Sequence, residues 1–302
     1  MPALLQAALY PQGRPEMRTD TLAVPQVSLS SRPAGTTEIR AGLVLLIVLA
    51  AAAWLGPWLL HISPFERSLD LLAPPSASHW LGTDEEGCDV LAKVLHGGRL
   101  ALLVGPGVAV LSAAIGLVLG APAGYFGGLL DRSVLRLADT LMAFPGVLLA
   151  LLLVYVSPAP GVLTVVLALG LSGWAGHARL VRMLVASARE REFVVAARCL
   201  GASHPRILLV HVLPEVVGPV AVQATLGVAA GVLGEASLSF LGLGPQGVVS
   251  WGAMLEQGAV LFLQAPAIAL SAGGGLALLL TSLNLIGDGL RDRLDPRAAR
   301  QT

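Results

Sequence analysis

Six apolar stretches, separated by short polar segments crowded with arginine, set the pattern of this chain. They lie at about 41–60, 100–125, 134–156, 161–184, 216–241 and 265–286. Each is near the length of helix, roughly 20 residues, that crosses a hydrocarbon core of about 30 Å. The runs are rich in Leu, Val and Ala without alternation, unlike the ten-residue alternating segments of a transmembrane barrel. The third stretch is interrupted by Asp139 and Pro145. The pattern predicts an all-α, polytopic membrane protein with six transmembrane helices.

Small residues add detail to two of these stretches. Gly116, Gly120 and Gly124 recur at four-residue spacing, and Gly227, Gly231 and Gly234 repeat the device. Such stripes let a second helix approach closely. In the polar segment after the first stretch, Thr83 and Glu86 have capping-box spacing. Val90, Leu91, Val94 and Leu95 then share one face before Gly97-Gly98. A short amphipathic helix, ended by the two glycines, is expected there at the outer membrane face.

Composition agrees with a membrane protein. Of 302 residues 55% are hydrophobic and 13% charged, and the mean hydropathy is +0.77; a soluble domain of this size needs more surface charge. The net charge of zero conceals an asymmetry. With the N-terminus inside, sixteen of nineteen basic residues fall on the cytoplasmic side, and only Arg67, Lys93 and Arg99 fall outside. The positive-inside rule then places both termini in the cytoplasm. Residues 1–40, rich in Pro, Ser, Thr, Ala and Gln, read as a disordered cytoplasmic tail, with Met17 a second candidate start. Cys88 falls outside and Cys199 inside, so the two cannot pair.

One cytoplasmic segment, 189–215, is more than a connector. No Gly or Pro occurs from Glu190 to Leu200, and Gly201 stands where a helix stop needs a left-handed residue. Ser203-His204-Pro205 restarts a helix that leads into the fifth span. Ala196, Ala197 and Gly201 offer a small-residue surface, with Arg191, Glu192 and Arg198 as a polar rim. This is a helix, a sharp turn and a second helix, suited to being gripped by a soluble partner.

The segment resembles the cytoplasmic EAA loop of binding-protein-dependent ABC importer permeases. That pattern is Glu-Ala-Ala, three residues, Gly, nine residues, then Ile-x-Leu-Pro. Ala196, Ala197, Gly201, Leu213 and Pro214 match its spacing, while Val195 replaces the Glu and His211 the Ile. Further stretches are similar to the peptide and nickel branch, and within it to the C-type subunit of dipeptide and oligopeptide permeases. They are His79-Trp80-Leu81-Gly82-Thr83-Asp84, Gly173-Trp174 with Ala178-Arg179-Leu180-Val181-Arg182, the run from Glu235 to Gly244, Ser250-Trp251-Gly252, and the run from Asn284 to Asp292. Cys88 stands where the branch usually has an arginine.

The resemblance implies a type I ABC importer permease fold. Residues 41–98 would hold the first helix and outer loop, 99–290 the permease domain, and 291–302 a cytoplasmic tail. It implies a coupling helix seated on an ATPase subunit, with Glu192, Ala196, Ala197, Arg198, Gly201, Ala202 and Pro214 at the contact. The implied partners are a homologous second permease, two ABC ATPase subunits, an extracytoplasmic solute-binding protein and membrane lipids, with no nucleic acid and no cofactor. The implied location is the bacterial inner membrane. The implied cargo is a dipeptide or oligopeptide, with nickel or a nickel chelate as the alternative. One independent observation agrees: the chain has no Gly-x4-Gly-Lys-[Ser/Thr], its single lysine is Lys93, and its energy must come from a partner.

Glu235 is the one carboxylate well inside an apolar span. Such a group faces the bundle interior or a wet cavity, as a pore or gating residue or as an acceptor that locks two helices. The lock is the favoured reading. Asp139, Asp288 and Asp292 are expected to pair with nearby arginines. The acidic outer cluster of Asp84, Glu85, Glu86 and Asp89, with His79 and His96, is read as helix-end chemistry and not as a metal site. No histidine stands in a catalytic spacing with Cys, Ser or Asp, so an enzyme is not expected. A passive channel has no need of the cytoplasmic handle.

Overall fold

The computed structural model describes residues 36–294. The expected N-terminal tail lies outside the described residues except for 36–40, which already belong to the first helix. Of the expected C-terminal tail, 291–294 are described and continue the last helix.

The helices are α1 (Thr36–Leu60), α2 (Val90–Phe126), α3 (Gly128–Met142), α4 (Gly146–Tyr155), α5 (Val162–Ala188), α6 (Glu192–Cys199), α7 (His204–Arg206), a π-helical segment (Ile207–Val212), α8 (Leu213–Phe240), α9 (Trp251–Val260) and α10 (Pro266–Leu294). Among the described residues five helical runs are long and apolar enough to cross a membrane: α1, α2, α5, the continuous run His204–Phe240, and α10. The expected third span is the departure. It is a pair, α3 and α4, bent by 82° at the break. Pro145, at φ −55° and ψ 121°, caps α4 and cannot carry the helix through, because it has no N–H and its ring disfavours helical backbone at Phe144.

The outer amphipathic helix and the second span prove to be one helix of 37 residues. Gly97 and Gly98 do not end it. They lie under the indole of Trp251, where a Cβ on Gly97 would come within 2.6 Å of the ring. Trp251 Nε1 donates to the Val94 carbonyl at 2.8 Å, so α9 is pinned across the glycine pair. The capping box at Thr83 is not formed either. The Thr83 hydroxyl donates to Asp70 O and accepts the Ala73 N–H, which fixes the loop between α1 and α2. The N-cap is Asp89, whose carboxylate accepts the Ala92 N–H at 2.9 Å.

The glycine stripes act as their spacing implies. Added Cβ atoms at Gly116, Gly120 and Gly124 would reach His177 Cβ at 2.5 Å, Ala178 O at 2.5 Å and Arg182 O at 2.4 Å, so α2 and α5 touch backbone to backbone. Gly231 and Gly234 admit Val108 and Leu169 in the same way. Gly227 differs, since a Cβ there would meet nothing nearer than 3.5 Å. Outward-facing Val44, Ile47, Val48 and Trp58 of α1 are exposed; in a membrane these atoms meet acyl chains.

Candidate functional site

The loop at 189–215 is built from local rules. Arg191, in extended backbone, precedes α6, which carries Glu192 in its first turn and Arg198 in its last, both favourable to the helix dipole. Gly201 has φ +80°. Its N–H donates to Arg198 O at 3.0 Å, and the Ala202 N–H donates to Ala197 O at 3.1 Å. This is a complete Schellman stop. Ser203 caps the next helix in extended backbone, with Pro205 in its first turn. The chain then widens into the π-helical segment, where the Leu213 N–H reaches back to Leu208 O. Pro214 follows directly. It lacks an N–H and crowds the preceding turn, and a wider turn accommodates both defects. His211, at the signature position, lies within this segment.

The expected contact residues divide between two faces. Glu192, Ala196, Arg198, Gly201 and Pro214 are exposed, Ala202 is half-buried, and Ala197 is buried with Val194. Ala197 thus faces its own protein. Phe193, Val195 and Leu200 stand exposed beside Ala196, with Leu200 at 89% exposure. Sequence reasoning passed over Phe193 and Leu200, although three- and four-residue spacing from Ala196 would have put them on one face.

The inner face joins the loop to the bundle. Val194, Ala197, Ile207, Val212 and Val216 share an apolar cluster with Tyr125 of α2 and Val181 and Val185 of α5. Arg189 Nη1 donates to the carbonyls of Gly124 and Tyr125 at 3.2 and 3.0 Å, capping the end of α2. Tyr125 Oη hydrogen-bonds His204 Nδ1 at 3.0 Å. Arg191 pairs with Glu215, closing the base of the loop. Arg182 holds Asp131 through two hydrogen bonds at 2.7 and 2.5 Å, and Arg179 pairs with Asp139, tying α3 to α5. Among the described residues Asp288 and Asp292 have no ion pair.

Glu235 is 2% exposed. Its Oε1 accepts the hydroxyls of Ser239 at 2.6 Å and Ser250 at 2.7 Å. Ser250 is the N-cap of α9 and itself accepts the Gly252 N–H at 3.0 Å. The carboxylate therefore joins α8 to α9.

At membrane depth a separate cleft of about 270 Å³ opens between α2, α4, α5 and α8. Its polar groups are Ser112, Ser172 and His177, and Gly227, Gly231 and Gly234 line the opposite wall. In the loop between α1 and α2 each acid of the expected cluster has a partner. Asp84 pairs with Lys93, Glu86 with Arg67, Asp89 with His79, and Glu85 accepts from Gln257. The Cys88 thiol is buried where the branch places arginine, and desolvation pushes its pKa up.

The chain is a helical membrane bundle with a capped polar loop at 189–215, and comparison with known proteins identifies its class. The family model for the binding-protein-dependent transport system inner membrane component matches residues 116–300, and the chain belongs to this family. It is 39% identical over 269 residues to the dipeptide transport system permease protein of Bacillus subtilis (strain 168), covering 86% of this chain and 82% of that one. It is 35% identical over 261 residues to the oligopeptide transport system permease protein of the same organism, covering 85% and 84%. To the oligopeptide transport system permease protein of Mycobacterium tuberculosis (strain ATCC 25618 / H37Rv) it is 40% identical over 259 residues, covering 85% and 89%.

Proposed function

We propose that this chain is the membrane-spanning permease subunit of an ABC importer of dipeptides or oligopeptides. The relatives described above are named for dipeptide and oligopeptide transport, and the nickel alternative is set aside. In this reading a solute-binding protein delivers the cargo on the outer side. A homologous second permease completes the pathway, and two ATPase subunits drive it from the cytoplasm, where both termini lie. The observation that carries the reading is α6. It is a short helix stopped by Gly201, with an exposed apolar face beyond and an inner face anchored to α2 and α5.

In this reading, ATP-driven closure of the ATPase pair moves α6, and the anchors pass that movement to the bundle. Glu192, Ala196, Arg198, Gly201, Ala202 and Pro214 contribute to the seat, while Ala197 secures the helix from within. Gly201 is the decisive test. A Cβ there would meet nothing of its own chain within 4 Å, so a substitution acts through the left-handed backbone, which a β-branched residue resists, and through the seat itself. In Gly201→Val we expect normal membrane insertion, with peptide uptake lost or uncoupled from ATP hydrolysis in proteoliposomes of the complete transporter. Wild-type uptake in that variant would refute the coupling role.

A further inference from the structure

One polar atom in the membrane cleft has no partner among the described residues: His177 Nε2. The residue is 5% exposed and lies 15 positions into the 27-residue α5, at membrane depth. Its Nδ1 lies 3.5 Å from the Gly173 carbonyl one turn back. A carbonyl only accepts, so the neutral ring carries its proton on Nδ1 and presents a lone pair at Nε2. That edge faces Gly227, where even a methyl group would stand 3.5 Å away.

The other polar side chains of the cleft have the same character. Ser112 donates to Gly170 O at 3.1 Å, and Ser172 donates to Ala168 O and Leu169 O at 2.9 and 3.0 Å. With those protons committed, each hydroxyl presents only lone pairs to the cleft. Three acceptors, facing a wall of Gly227, Ala230, Gly231 and Gly234, favour a ligand that brings N–H donors. The glycine wall belongs to α8, which continues without a break from the coupling loop.

We propose that His177 Nε2 is a cargo-binding group within the membrane, accepting a hydrogen bond from an N–H of the peptide in transit. The donor is the peptide's α-ammonium or a backbone amide. The assignment rests on the peptide-import reading of the preceding subsection.

The test is uptake by the complete transporter, with its ATPase subunits and binding protein, in proteoliposomes. Radiolabelled dialanine and N-acetyl-dialanine are compared in the wild type and in His177→Phe, His177→Gln and Gly227→Ala. Loss of one hydrogen bond to cargo should reduce uptake at subsaturating peptide by about tenfold in His177→Phe. His177→Gln, which can still accept, should retain more. A loss confined to dialanine assigns the α-ammonium; an equal loss with both peptides assigns a backbone amide. Gly227→Ala covers Nε2 with a methyl group at ordinary contact distance, and should reproduce the defect even where His177→Phe fails to assemble. Wild-type uptake of both peptides by an assembled His177→Phe complex, or by Gly227→Ala should the Phe variant not assemble, would overturn the assignment. A wild-type complex that takes up neither these peptides nor a longer one, pentaalanine, would refute peptide import itself, and this assignment with it.

Discussion

Glu235 shows how a single side chain acquires its meaning from its neighbours. A carboxylate at membrane depth is compatible with a pore, a gate or a brace. The two serine hydroxyls that converge on one of its oxygens favour the brace, because they bind the end of α8 to the first turn of α9. Replacing Glu235 with Ala leaves two buried hydroxyls without an acceptor, each worth about 1–3 kcal/mol. Glu235→Gln retains the accepting oxygen. We therefore expect Glu235→Ala to lower the melting temperature in detergent clearly, while Glu235→Gln melts and transports close to wild type. Lost uptake in Glu235→Gln at an unchanged melting temperature would instead assign a role in the pathway. Sequence alone placed this carboxylate inside the bundle. It could not supply Ser250, which reaches Glu235 only after the chain reverses between α8 and α9.

At the scale of elements, residues distant in sequence overrode local signals. Gly97-Gly98 reads as a stop, since glycine inside a helix costs about 1 kcal/mol relative to alanine. The helix continues because Trp251, from far along the chain, fills the space those glycines leave. Pro145 was legible as an interruption, though not as a bend of 82°. The stop at Gly201 was legible because a Schellman motif needs only residues close in sequence. The anchors behind α6 were not. Arg189 reads as one more cytoplasmic positive charge until α2 ends beside it and offers two free carbonyls. That tie has a measurable consequence. Without it, movement of α6 should reach α2 less efficiently, although the seat itself is untouched. For Arg189→Ala we expect ATP hydrolysis to persist while peptide uptake per ATP falls several-fold, with partial recovery in Arg189→Lys. An unchanged ratio would remove Arg189 from the coupling path and leave the apolar cluster and the Tyr125–His204 hydrogen bond as the links.

For the whole molecule, the distribution of charge and the placement of the two native cysteines can be tested together. In the proposed orientation, which follows the positive-inside bias, α6 lies in the cytoplasm and the loop between α1 and α2, the outer loop, on the opposite side. Cys199, at the end of α6, is exposed, whereas the Cys88 thiol is buried in the outer loop. Burial raises the Cys88 pKa, so its thiolate is scarce at neutral pH. It stays scarce as pH passes about 8.5, where an unfolded cysteine ionises. The proton held by the folded form adds stability below that pH, and this contribution is lost as pH rises through the folded pKa. A membrane-impermeant maleimide should therefore label inverted vesicles at one site, Cys199, and leave right-side-out vesicles almost unlabelled until the protein is unfolded. The same thiol reports on docking. It adjoins Leu200, whose side chain is nearly fully exposed and whose burial by a partner is worth about 1.5–3 kcal/mol. Bound ATPase subunits should slow Cys199 labelling by about tenfold or more, and their removal should restore it. Labelling of Cys199 from the outer side would reverse the orientation, whereas undiminished labelling in the assembled complex would move the ATPase contact away from α6.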